Sequence, residues 1–86
     1  MKPPSDFAIA LRLAAHFAES LPEGCPFEIY ASEDWDVDIE IPSRTRDEFW
    51  KAAIAINIIP EGVQEVVRSF GNLHVSLYLW EGPEQA

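Results

Sequence analysis

At 86 residues the chain has room for one domain, residues 1–86, and no second. Apolar residues make up 48% of it and aromatics 12%, which is a globular and not a disordered composition. Fifteen acids against six Lys and Arg give a net charge of -9, which argues against direct binding of nucleic acid and against an anionic membrane surface.

In chain order, Ser5 reads as the cap of a first helix with Phe7, Ala10, Leu11, Ala14, Phe17 and Leu21 on one face. Pro22, Glu23 and Gly24 end it. Phe27–Ser32 reads as a strand, and Glu33-Asp34 as a tight turn. Trp35–Ile41 then alternates, with Trp35, Val37, Ile39 and Ile41 on one side and Asp36, Asp38 and Glu40 on the other. Pro42 stops that strand. Thr45 and Glu48 have capping-box spacing and open a second helix, whose apolar positions include Phe49, Ala52, Ala53 and Ile56. Pro60-Glu61-Gly62 closes that region. Gln64–Phe70 and Leu73–Trp80 form a hairpin across Gly71-Asn72. The residues from Glu81 onward read as a frayed tail.

The two halves align at an offset of 38 residues. Leu21-Pro22-Glu23-Gly24 lies over Ile59-Pro60-Glu61-Gly62, Ala14-Ala15 over Ala52-Ala53, and Val37, Ile39 and Ile41 over Val75, Leu77 and Leu79. The chain is therefore expected to be α+β, an αββαββ tandem of units at about 5–41 and 43–80 with a tail at 81–86. A two-fold between halves suits strand order 1-2-4-3 or 2-1-3-4, both wholly antiparallel. Order 1-2-4-3 is preferred because the second and fourth strands alternate most cleanly. It is a permuted ferredoxin-like arrangement with both helices on one face and the other open to solvent.

That open face is where function is expected. It would carry Asp36, Asp38 and Glu40 beside His74, Ser76, Tyr78 and Trp80. Successive outward carboxylates lie about 6.6–6.8 Å apart on a strand and repel one another. Residues 13–43 hold eight acids and no Lys or Arg. The first 43 residues carry nine acids and two bases (-7); the rest carry six and four (-2). Simple solubility does not require such a lopsided distribution. A plain solvated face would show the same alternation, and Trp80 folded over the edge would be a core residue. Exposed Tyr and Trp, however, are the residues that anchor protein interfaces. The expected partner-binding set is Glu33, Asp34, Asp36, Asp38, Glu40, His74, Tyr78 and Trp80, with Trp35 beside it.

Other chemistries find little support. His74 with Asp36, Asp38 or Glu40 offers metal-ligand types but no spacing motif, so no metal and no cofactor are expected. His16 reads as an ordinary helix histidine. Cys25, the only cysteine, lies between Gly24 and Pro26 with no histidine adjacent in sequence, and it excludes an internal disulfide. Ser76 and His74 share a face but lack an orienting partner. The carboxylates lie in an open row, not in an apolar pocket that would raise one pKa. The four glycines are scattered and make no phosphate loop. The chain is expected not to be an enzyme. The apolar stretch 7–18 is broken by Arg12 and His16, with Asp6 where a signal peptide's basic region would stand. A cytoplasmic location is therefore expected (the host cell's, if phage-encoded).

In size, charge and absence of motifs the chain resembles the small acidic inhibitor proteins of phages and mobile elements, of the anti-CRISPR and anti-restriction kind. The resemblance is one of composition over the whole chain. It implies a non-enzymatic inhibitor, in some cases a DNA mimic, that binds a basic protein or nucleoprotein complex such as a CRISPR effector and blocks nucleic-acid access. Two other expectations stand beside it: an immunity or antitoxin-type protein that neutralises a toxin, and a structural or self-associating subunit. The protein itself is expected to be a monomer or weak homodimer, with neither nucleic acid nor membrane as a direct partner.

Overall fold

A computed structural model describes residues 4–80 of the chain. The element order is α1 (Ser5–Ser20), β1 (Glu28–Ala31), β2 (Val37–Ser43), α2 (Arg46–Ala55), β3 (Val66–Phe70) and β4 (Leu73–Leu79). The tail expected from Glu81 lies outside the described residues.

The helices form where the apolar spacing places them. In α1, Ala10, Ala14 and Phe17 are buried and Phe7 and Leu13 pack at the margin, while Leu11, expected on the inner face, is exposed. The N-cap is Pro4 and makes no side-chain cap bond, so Ser5 is the first helical residue and not the cap. In α2, Phe49, Ala52 and Ala53 are buried. The Glu48 N–H donates to Thr45 Oγ1 at 3.1 Å, and Glu48 Oε2 accepts from the Arg44 N–H at 3.0 Å. The capping box is thus present, with its return bond made one residue before the cap.

The four strands form one sheet in the order β1-β2-β4-β3. Val37, Ile39 and Ile41 of β2 and Leu73, Val75 and Leu77 of β4 are fully buried beneath the two helices. One core therefore lies between the helical layer and one face of the sheet, and the other face is open. Pro42 does not end β2 but sits inside it, opposite Tyr78 of β4 and beyond the last β1 pair, Glu28–Glu40. A proline is tolerated where one neighbouring strand has already stopped.

The strand directions differ from expectation at the sheet centre. β1–β2 and β3–β4 are antiparallel, but β2 and β4 run parallel, Val37 opposite Leu73 through Ser43 opposite Leu79. The sheet is mixed, not wholly antiparallel, and so departs from the permuted ferredoxin-like arrangement. A two-fold axis normal to the sheet would reverse β4 relative to β2, so the two halves are not related by one. The physical reason is the connection after α2. Ten residues link Ala55 to Val66, with Ile56, Ile58 and Pro60 buried along the way. A link of that length can reach about 33 Å. It returns the chain to the end of the sheet where β2 and β4 finish, and Val66 there pairs with Leu77.

Candidate functional site: the open sheet face

The residues opposite the core side of the sheet fall into rungs. One rung runs Tyr30, Asp38, His74, Ser69 across β1, β2, β4 and β3. The next runs Glu28, Glu40, Ser76, Val67. A third pairs Pro42 with Tyr78. Of the expected site residues, Asp38, Glu40, His74 and Tyr78 stand on this face, and Trp80 follows at its end with its N–H donating to Ser43 O at 2.7 Å. Trp80 is half-buried.

Glu33 and Asp34 lie in the β1–β2 turn, off the strands, and Asp36 lies just before β2. All three belong to the β1–β2 connection, with the Asp36 carbonyl continuing the β1–β2 register by accepting from the Ser32 N–H. Ser32 organises this connection: its Oγ accepts from the N–H of Asp34 at 3.3 Å and of Asp36 at 3.1 Å. The Trp35 N–H donates to Ser32 O, and the Ser32 N–H to Asp36 O. Trp35 holds φ 65° and packs edge-on against Phe7 of α1, with ring centroids 5.0 Å apart. It thus lies on the helix side.

This connection sets which β1 residues reach the open face. A two-residue turn at Glu33-Asp34 would pair Tyr30 with Val37. The observed link spans residues 32–36 and pairs Ala31 with Val37. The extra residue is absorbed at Trp35, in the left-handed conformation that such a bulge needs. A one-residue shift exchanges faces. It brings Glu28 and Tyr30, which sequence reasoning missed, onto the open face. The usual signal for such a bulge is Gly or Asn, and here a tryptophan occupies the position.

The electrostatics of the face follow from this register. Glu28 and Glu40 lie directly opposite each other on antiparallel strands, a like-charge pairing that costs rather than stabilises. The ion pairs among the described residues, Arg44–Glu48 at 3.9 Å and Lys51–Asp47 at 3.0 Å, belong to α2 and the residue preceding its cap, not to this rung. Burial pushes the Tyr78 hydroxyl above the usual tyrosine range, and the charges of Glu40, Glu28 and Glu65 push it further. Three carboxylates thus lie close enough to act on the Tyr78 hydroxyl. Two clefts flank that residue: one of about 480 Å³ lined by Pro26, Glu28, Pro42, Arg44, Tyr78 and Trp80, and one of about 400 Å³ that includes Glu40, Val63 and Glu65.

The chemistry of the remaining candidates is limited by their surroundings. His74 Nδ1 shares a hydrogen bond with Ser69 Oγ at 2.8 Å, so its serine neighbour is Ser69 across the strand pair. Asp38 is its neighbour on the other side. The three line up across neighbouring strands of the open face. No group of three His, Cys, Asp or Glu side chains able to hold a metal ion occurs among the described residues. Cys25 is half-buried, and burial followed by the charge of Glu48 raises its thiol pKa, which disfavours the nucleophilic thiolate. His16 is exposed on α1. No described helix is long and apolar enough to cross a membrane.

The chain matches no known family model, no curated protein and no solved structure.

Proposed function

We propose that the protein is a non-enzymatic inhibitor that binds a basic, nucleic-acid-handling protein or nucleoprotein complex, such as a CRISPR effector, through its open sheet face. The observation that carries this reading is the Glu28–Glu40 pair, with Asp38 beside it and aromatic rings at either end. Like charges held opposite one another are destabilising. A cationic surface laid over them would convert that cost into attraction. With -9 on a small chain, the same charges steer diffusional encounter with a basic partner.

Tyr30, Tyr78 and Trp80 supply the anchors, since aromatic residues dominate binding energy at interface centres. The arrangement covers a basic site more readily than it copies a duplex. Carboxylates on flat strands follow straight rows, whereas duplex phosphates follow a helix, so blocking of nucleic-acid access is the favoured mode. An immunity or antitoxin-type protein directed at a basic toxin would use the same contacts.

One observation favours a different reading, that of a self-associating subunit. Edge strand β1 is exposed along its whole length, including the apolar Ile29, and Phe27 just before it is exposed too. Such an edge can pair with another strand, but the net charge of each copy opposes self-pairing.

The inhibitor reading is tested by displacement. Proteins from cells carrying nucleic-acid-targeting defence systems are loaded on immobilised nucleic acid, and the protein is passed over them. The wild type is expected to elute a basic protein that an Asp38→Asn/Glu40→Gln variant leaves bound. Elution of nothing, or of the same proteins by both, would remove this reading.

A further inference from the structure

The cleft beside Tyr78 has a composition that the rest of the acidic face lacks. It lies at the end of the sheet where β2 and β4 both finish. Pro42 and Tyr78 are paired neighbours there, and the Trp80 backbone is fixed to Ser43. Pro26 and Glu28 close it from the β1 side, and Arg44 lies at its rim. The volume of about 480 Å³ is far larger than any single side chain needs, but the cleft is open and shallow, as a receptor for one inserted side chain and its flanking backbone must be.

The lining selects among possible occupants. Two rings and two prolines offer flat apolar walls, and Glu28 places a carboxylate among them. A purely apolar side chain would leave Glu28 desolvated and unpaired, which is costly. An acidic one would meet Glu28 with Glu40 and Glu65 close by on the far side of Tyr78. A guanidinium satisfies the carboxylate and the rings at once. Its plane stacks on aromatic faces, and its N–H fork pairs with a carboxylate in two parallel bonds. A lysine ammonium pairs with the carboxylate but cannot stack as a plane. The one resident cation, Arg44, has a carboxylate of its own in Glu48.

We propose that the cleft formed by Pro26, Glu28, Pro42, Arg44, Tyr78 and Trp80 receives one arginine side chain of the partner, stacked on the aromatic rings and paired with Glu28. This rests on the reading that the open face binds a basic protein, and it names the partner's anchoring chemistry.

The test uses the ¹⁵N-labelled protein at low salt and two blocked tripeptides, Gly-Arg-Gly and Gly-citrulline-Gly. Citrulline keeps the shape of arginine without its charge. The arginine peptide is expected to shift the Trp80 indole and the Glu28 and Tyr78 amides in a saturable way, and the citrulline peptide to leave them in place. Glu28→Gln and Tyr78→Leu are expected to weaken binding at least fivefold, while Tyr78→Phe, which keeps the ring and the packing, stays within twofold of wild type. Equal shifts from both peptides would overturn the proposal. So would arginine-dependent shifts spread over Asp38, Glu40 and His74 that Glu28→Gln leaves unchanged. That second outcome would leave the acidic face as a binding surface and remove only the cleft as its anchor.

Discussion

Trp35 carries a backbone cost that its side chain offsets. At φ 65° a residue with a Cβ sits about 1–2 kcal/mol above the right-handed alternative. The half-buried indole recovers part of this by removing apolar surface from water and by its edge contact with Phe7, a kind of contact worth about 0.5–1.5 kcal/mol beyond burial. Strained positions of this type persist when surrounding structure over-determines them. Here the strain fixes the register that turns Glu28 outward. Replacing the ring by Ala keeps the Cβ in the strained conformation, while Gly removes both ring and strain. Trp35→Gly is therefore expected to be more stable than Trp35→Ala by about 1 kcal/mol, a net of relieved strain and the greater unfolded-state entropy of Gly. Both should unfold below wild type in a denaturant titration. An alanine variant at least as stable as the glycine variant would show that the turn is not strained.

The elements themselves were largely legible in the residues. Apolar spacing located both helices, and strict alternation in residues 37–41 and 73–77 matches the buried rows of β2 and β4. Gly71-Asn72 marked its hairpin correctly: Phe70 pairs with Leu73, and Gly71 takes the positive φ of 61° that the turn requires. Thr45 and Glu48 marked the start of α2. Losing that cap leaves a backbone donor without its partner, so Thr45→Ala is expected to lower stability by about 1 kcal/mol in thermal or denaturant unfolding. A change below a few tenths would mean that the cap does not hold the helix start.

Two features could not be read from local pattern. The direction of β4 relative to β2 depends on how far the connection at residues 56–65 carries the chain, and neither alternation nor helix spacing encodes that. The outward row of β1 depends on one extra residue at a tryptophan, which bears no turn signal. The candidate site was accordingly half visible: Asp38, Glu40, His74 and Tyr78 from alternation, but not Glu28 and Tyr30, which only the register supplies.

At the scale of the whole molecule, the two sheet faces divide the labour. One face and two helices bury a single apolar core, and that is enough to hold a chain of this size. The face turned away from the helices is left free to carry charge, and the register of β1 concentrates it there instead of dispersing it. A protein this acidic could be acidic for solubility alone, and then neutralising two carboxylates would change little. Whether this face binds a basic partner is read most directly by affinity capture. Immobilised wild type and the Asp38→Asn/Glu40→Gln variant are exposed to the same lysate of cells carrying nucleic-acid-targeting defence systems, at low and at high salt. The wild type is expected to retain a basic, nucleic-acid-binding protein at low salt and release it at high salt, and the variant is expected not to retain it. Recovery of the same proteins by both forms, with the same salt dependence, would contradict this expectation.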